Sequence, residues 1–140
     1  MVNDTARLCG DTLDEVLRDR ARESPDRELF VFLDDREDET ERLTYRGLLD
    51  RSRAVAEQLI GETSPGDRIL LLYESSLEYI EAFFGCLLAG RVAVPVYPPD
   101  PNRLEQTLPR LLHIVDDAEP AAVATTARVR QMAEGLMADQ

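Results

Sequence analysis

The sequence contains no lysine: all 16 of its basic residues are arginines, set against 28 acidic ones. Two function classes are excluded at once. The phosphate loop G-x-x-x-x-G-K-[ST] cannot be written without lysine. A net charge of −12 repels a phosphate backbone, so no nucleic-acid partner is expected. Histidine occurs once, at His113, on a predicted helix beside Arg110 and Asp117 and off its leucine face. A surface histidine fits that position better than a catalytic one. Cys9 and Cys86 follow no metal or redox spacing, and Cys86 falls in an apolar helix, which suits a packed free thiol. No apolar run approaches 18 residues and no signal peptide is visible, so the expectation is a soluble, cytoplasmic chain without a membrane span. G-x-G-x-x-G, G-x-S-x-G and H-E-x-x-H are also missing. The residues alone therefore nominate no catalytic, cofactor-binding or metal-binding group.

What is present is enough for one globular domain. The 140 residues are 44% hydrophobic and 31% charged, which allows a real core. The stretch Gly66 to Pro101 organises the chain. Arg68 to Tyr73 is nearly continuous apolar sequence, the pattern of a strand buried on both faces. Ser75-x-x-Glu78 has the form of a capping box. Behind it Leu77, Ile80, Phe83, Phe84, Leu87 and Leu88 recur at helical spacing, and Tyr79, Ala82, Cys86 and Ala89 widen the stripe, so this helix is expected to be central. Gly90 suits the left-handed residue after a helix, and Val92 to Val96 reads as the next strand. Strand, helix and strand make a right-handed parallel unit.

The flanks read less sharply. Residues 1–10 look like a loose lead-in. Thr12-x-x-Glu15 is a second capping box, opening a helix near 12–23 with Leu13, Val16, Leu17 and Ala21 on one face, stopped by Pro25. A strand is expected near 28–33. The acidic run Asp34 to Glu41 reads as a solvated hairpin tip; a divalent cation is the alternative, but the spacing is not that of a calcium loop. Arg42 to Thr44 is the returning strand. Thr44 caps a helix near 44–60, ended by Gly61, and Ser64-Pro65-Gly66-Asp67 turns into the first buried strand. Past the central unit, Tyr97-Pro98-Pro99-Asp100-Pro101 forms a stiff, polyproline-like exit. A helix near 108–118 opens at Leu108 or Pro109, with Leu108, Leu111, Leu112 and Val115 inward. A strand near 121–125 and a helix near 126–138 follow, the latter showing Val129, Met132, Ala133, Leu136 and Met137.

This alternation predicts an α/β fold, an open mixed or parallel sheet flanked by helices. Such sheets take ligands at the carboxyl ends of their strands. Here those ends are Tyr73-Glu74-Ser75, Tyr97-Pro98-Pro99 and Thr125-Thr126. Ser75 reads as a helix cap rather than a nucleophile, because no base accompanies it.

The segment LTYRGLLDRSRAVAEQL at Leu43 to Leu59, followed by GDRILLLYESSLEYIEAFFGCLLAGRVAVPVYPPDP, resembles the N-terminal part of the adenylate-forming superfamily. The ending Val94-Pro95-Val96-Tyr97-Pro98-Pro99 is similar to fatty acyl-AMP ligases more than to acyl-CoA synthetases. The run Leu108-Pro109-Arg110-Leu111 to Ala121 fits the same subfamily. The resemblance implies an enzyme that activates a fatty acid with ATP and Mg2+ and supplies the acyl group to an acyl carrier protein rather than to coenzyme A. Tyr97, Pro98 and Pro99 are its candidate substrate-facing residues, shaping the acyl or carrier-arm path; a rigid connector is the bland alternative. The family's phosphate loop, adenine and ribose motifs and catalytic lysine map onto nothing in these residues. Residues 1–140 are therefore expected to be a partial N-terminal AMP-binding domain, inactive alone. The alternative is a stand-alone binding or interaction module. The sheet edge at residues 121–125 is expected to lie uncovered, to be met by the remainder of the enzyme or by self-association.

Overall fold

Connection length decides strand direction here. In the computed structural model, which describes residues 11–138, the order is α1 (Leu13–Glu23), β1 (Glu28–Leu33), β2 (Glu39–Thr44), α2 (Tyr45–Glu62), β3 (Arg68–Leu72), α3 (Leu77–Leu88), β4 (Val92–Val96), α4 (Leu104–Ala118), β5 (Ala122–Thr125) and α5 (Ala127–Ala138). The lead-in at residues 1–10 lies outside the described residues, as do the side chains of Leu136 and Met137. A short turn joins β1 to β2, which pair antiparallel. Helices join the other three, which form a parallel sheet in the order β4-β3-β5. This is the α/β architecture expected from the alternation of elements.

The acidic run is a turn. The Asp34 carboxylate accepts from the backbone N–H groups of Arg36 and Asp38, both at 2.9 Å. β2 starts at Glu39, three residues before the predicted Arg42. Its first residues are exposed, so pairing with β1, not hydrophobicity, makes them a strand.

Residues on the two faces of the parallel sheet alternate. Ile69 and Leu71, both fully buried, point with Ala93, Ala122 and Ala124 into a core built with Ala56 and Leu59 of α2 and Ala82 and Cys86 of α3. A second core joins Leu17, Leu43, Leu48, Leu49 and Leu77, with Phe30, Phe32, Ile80 and Phe84 packed on it. α2 and α3 cross closely at Gly85, where an added Cβ would meet Val55 Cγ1 at 2.6 Å. Past Leu77 at its start, the buried face of α3 is thus its small one, Ala82, Gly85 and Cys86, while Phe83, Phe84 and Leu87 stay half-buried.

Several helix ends differ from the sequence reading. α3 is capped by Ser76, whose hydroxyl accepts from Tyr79 N–H at 3.2 Å; the box on Ser75 does not form. Ser76 directly precedes Leu77, the side chain that enters the second core, so the helix begins there. At α1 the Thr12 hydroxyl makes no cap bond, and Glu15 reaches back to Asp11 N–H instead, at 2.8 Å. Thr44 caps α2 as expected, accepting from Gly47 N–H at 3.1 Å. The helix passes through Gly61 and stops at Thr63, two residues before Pro65, which has no N–H to continue it. α4 starts at Leu104, well before Leu108. The proline that opens it is Pro101, in a 3-10 turn capped by Asp100, which accepts from Asn102 N–H at 2.9 Å. Pro109 sits inside the helix. After α3, Gly90 adopts φ +68°, Gly90 N–H donates to Leu87 O and Arg91 N–H to Cys86 O, a complete Schellman closure.

Candidate functional site

All three strands of the parallel sheet end on one edge, and both clefts of interest lie there. Leu72 of β3 is in register with Val96 of β4, so Tyr73 and Tyr97 follow side by side. A first cleft of about 160 Å³ is lined by Tyr73, Glu74, Ser75, Tyr79, Pro95 and Tyr97. The Tyr73 and Tyr79 rings lie 6.3 Å apart at 58°, and Phe83 continues the row behind Tyr79 at 6.4 Å. Burial, with the nearby Glu78, Cys86 and Glu81, pushes the Tyr73 phenol up to about 12, so it stays protonated at neutral pH. Tyr97 is 82% exposed at the rim.

A second, larger cleft of about 330 Å³ opens on the other side of the sheet edge. Leu72, Pro98, Pro99, the α4 residues Leu104, Leu108, Leu111 and Leu112, and Val129, Met132 and Ala133 of α5 line it. The three residues singled out from the sequence are therefore split. Tyr97 belongs to the aromatic cleft, and Pro98 and Pro99 to the apolar one. The third predicted strand end serves the fold: Thr125 Oγ1 donates to Leu72 O at 2.6 Å, and Thr126 Oγ1 accepts from Val129 N–H at 3.2 Å. A loose ion pair, Arg128 to Glu74 at 3.8 Å, spans this crevice.

The remaining sequence candidates lie apart from chemistry. His113 is exposed on α4 and lines neither cleft. Ser75 borders the first cleft. Cys86 is fully buried, and burial pushes its thiol up to about 11, which keeps it un-ionised and inert. Among the described residues no group of three His, Cys, Asp or Glu is placed to hold a metal ion, and no helix is long and apolar enough to cross a membrane. ATP and Mg2+, implied by the resemblance, do not fit the residues at hand. Neither cleft is lined by a positive side chain, and the first carries the Glu74 carboxylate where a triphosphate would need donors. Sequence reasoning missed the partnership of Tyr73 and Tyr79 with Tyr97. The signal was the equal length of β3 and β4, each followed by a tyrosine.

Comparison with known proteins agrees with this architecture. The family model described as "AMP-binding enzyme" matches residues 17–140. The chain is similar to the medium-chain-fatty-acid–[acyl-carrier-protein] ligase JamA of Moorena producens, 43% identical over 81% of this chain and 19% of that protein. It is also similar to human Disco-interacting protein 2 homolog A, 38% identical over 86% of this chain and 8% of that one. Among solved structures, a fatty acyl-adenylate ligase from L. pneumophila in complex with acyl adenylate and pyrophosphate superposes with a TM-score of 0.81 at 39% identity, over 89% of this chain and 21% of that one. The chain thus spans about a fifth or less of the length of these relatives. With its parallel unit, its proline-rich exit and most of its length matched, the chain belongs to the AMP-binding enzyme family and resembles the N-terminal part of fatty acyl-AMP ligases.

Proposed function

We propose that this chain supplies the N-terminal part of a fatty acyl-AMP ligase. The reaction joins a fatty-acid carboxylate to the α-phosphate of ATP, releases pyrophosphate, and hands the acyl group to an acyl carrier protein. The observation that carries this reading is the likeness to the L. pneumophila ligase in complex with acyl adenylate and pyrophosphate, at 39% identity. The name of JamA, an acyl-carrier-protein ligase, favours a carrier as acceptor. In this reading ATP and Mg2+ are held by residues outside the 140, because the clefts here lack the positive groups that adenylation requires. The role of this chain is a rigid scaffold, with Tyr97, Pro98 and Pro99 bordering the acyl or carrier-arm path.

The test is isotope exchange of pyrophosphate into ATP with fatty acids of several lengths and Mg2+ present. The 140-residue protein should show none, and a ligase of the relatives' full length that includes it should show fatty-acid-dependent exchange. Reproducible exchange by the 140 residues alone would overturn the scaffold role. In the longer enzyme, Tyr97→Ala and Pro98→Ala should alter the chain-length profile or admit coenzyme A. If both are unchanged, the segment is only a connector. A non-catalytic interaction module is the second reading, favoured by the likeness to Disco-interacting protein 2 homolog A at 38% identity; it requires no exchange at any length.

A further inference from the structure

The first cleft has a make-up that suits a cation. Three of the chain's four tyrosines, Tyr73, Tyr79 and Tyr97, line it together with Glu74 and Pro95. Tyr73 and Tyr79 meet at 58° with centroids 6.3 Å apart, which makes a corner rather than a stack. The faces of aromatic rings are negative and attract ammonium groups held within about 6 Å of the centroid. Alkylated ammonium ions are preferred, because they give up less hydration than a bare ammonium. The surrounding field has the same sign. Glu78 and Glu81 both act on Tyr73, although Glu81 is itself engaged by Arg51 at 2.8 Å. Glu74 is held only loosely by Arg128, at 3.8 Å with both side chains more than half exposed, so its carboxylate is available. No basic side chain lines the cleft, and the chain as a whole carries −12. About 160 Å³ is room for a small headgroup, far more than the roughly 10–15 Å³ one water needs.

We propose that this cleft binds a small alkylated ammonium ion of the choline type, with the three tyrosines supplying the ring faces and Glu74 the counter-charge. The site shares Tyr97 with the path proposed above but does not rest on the adenylation reading, and it would stand if that reading failed. Tyr97 forms its open rim, so the ion enters from solvent and a headgroup on a surface can also reach it.

The chain has no tryptophan, so its intrinsic emission is tyrosine emission and comes mostly from this cleft. The experiment titrates the 140-residue protein with choline chloride and with 3,3-dimethylbutan-1-ol, the same shape without the charge, at constant ionic strength. Choline should saturate and bind about tenfold more tightly than the neutral alcohol. Tyr97→Phe should bind as the parent does, and Tyr97→Ser about threefold more weakly; the exposed position keeps the fold out of question. Glu74→Gln should weaken choline about threefold and leave the alcohol unchanged. Sedimentation with phosphatidylcholine vesicles separates the sources: binding to vesicles supports a lipid headgroup, and binding to choline without vesicles supports a free ion. Equal affinity for choline and the alcohol, or no saturation by choline or vesicles, overturns the proposal.

Discussion

The two faces of the β4-β3-β5 sheet are packed very differently. On the face toward α2 and α3, Ile69 and Leu71 are 0% exposed and their neighbours are alanines. Small residues on strand and helix let backbones approach, and Gly85 brings α3 against Val55. On the opposite face Leu70 is covered, but Val92 is 49% and Val123 54% exposed. α4 buries no residue fully, although its leucines are spaced as well as those of any helix here. Large side chains meet large ones across the apolar cleft, and a gap remains. Helical periodicity therefore tells which side chains turn inward, but not how closely the partner comes. Close packing depends on small residues opposite.

The comparison can be broken most directly by truncating one leucine on each face. Leu71→Ala should cost about 2–5 kcal/mol, as buried leucines do, and Leu112→Ala, half exposed, under about 1 kcal/mol. Urea unfolding at neutral pH measures both. Equal losses would mean that α4 is packed as well as α3.

Alkali offers a second test of the packed face. The Cys86 thiol is raised from 9.0 to about 11 by burial, so its contribution is whole below pH 9 and lost as pH rises through 11. At about 1.4 kcal/mol per unit, the parent should lose about 2–3 kcal/mol more than Cys86→Ala between pH 8 and pH 11. Parallel unfolding curves for the two proteins would show that the thiol is hydrated.

The helix crossing gives smaller effects. Gly85→Ala places a Cβ 2.6 Å from Val55 Cγ1 and should cost about 1–3 kcal/mol, less what alanine returns in helix propensity. Val55→Ala in the same chain should restore most of it; no rescue would place the strain elsewhere. Smallest is Ser52, whose buried hydroxyl finds no partner at this crossing. Ser52→Ala should be neutral or stabilise by up to about 1 kcal/mol, read as a shift in the unfolding midpoint. A clear loss would reveal a hydrogen bond there.

The central unit was legible because each signal in it was local and doubled. β4 has the predicted bounds, and Gly90 has the left-handed conformation that its position required. Caps were legible as a kind of residue but not as a position: Ser75 and Ser76 are chemically equal, and only the burial of Leu77 chooses between them. The start of α4 was missed because Asp100-Pro101 opens a helix as well as Pro109 could, and Asp100 also ties back, its N–H donating to Thr107 Oγ1 at 3.0 Å. The strand-end rule pointed to Tyr97, Pro98 and Pro99, but their division between two clefts does not follow alternation: Pro95, Val96 and Tyr97 line one cleft, and Pro98 and Pro99, after the sheet has ended, the other. Tyr79 was read as core because a helical stripe does not say which of its members reaches the sheet edge.

At the amino edge of the sheet, opposite the clefts, the buried Arg91 donates to Thr63 O and Thr63 Oγ1 at the end of α2 and to Ala89 O at the end of α3. Gly66 N–H to Gly90 O and Val92 N–H to Asp67 O stitch the same edge. Both helix ends are the negative poles of their dipoles, so a guanidinium there meets the unpaired carbonyls with the favourable sign of charge. Farther along, the same two helices are joined again, by the crossing at Gly85 and Val55, by the pair of Arg51 with Glu81, and by Leu48, Leu49 and Leu77 in the second core. α3 is thus held along its 12 residues, about 18 Å of rod, up to the first turn that carries Tyr79. The corner made by Tyr73 and Tyr79 is therefore mounted on a braced frame, and its shape is set before anything enters it.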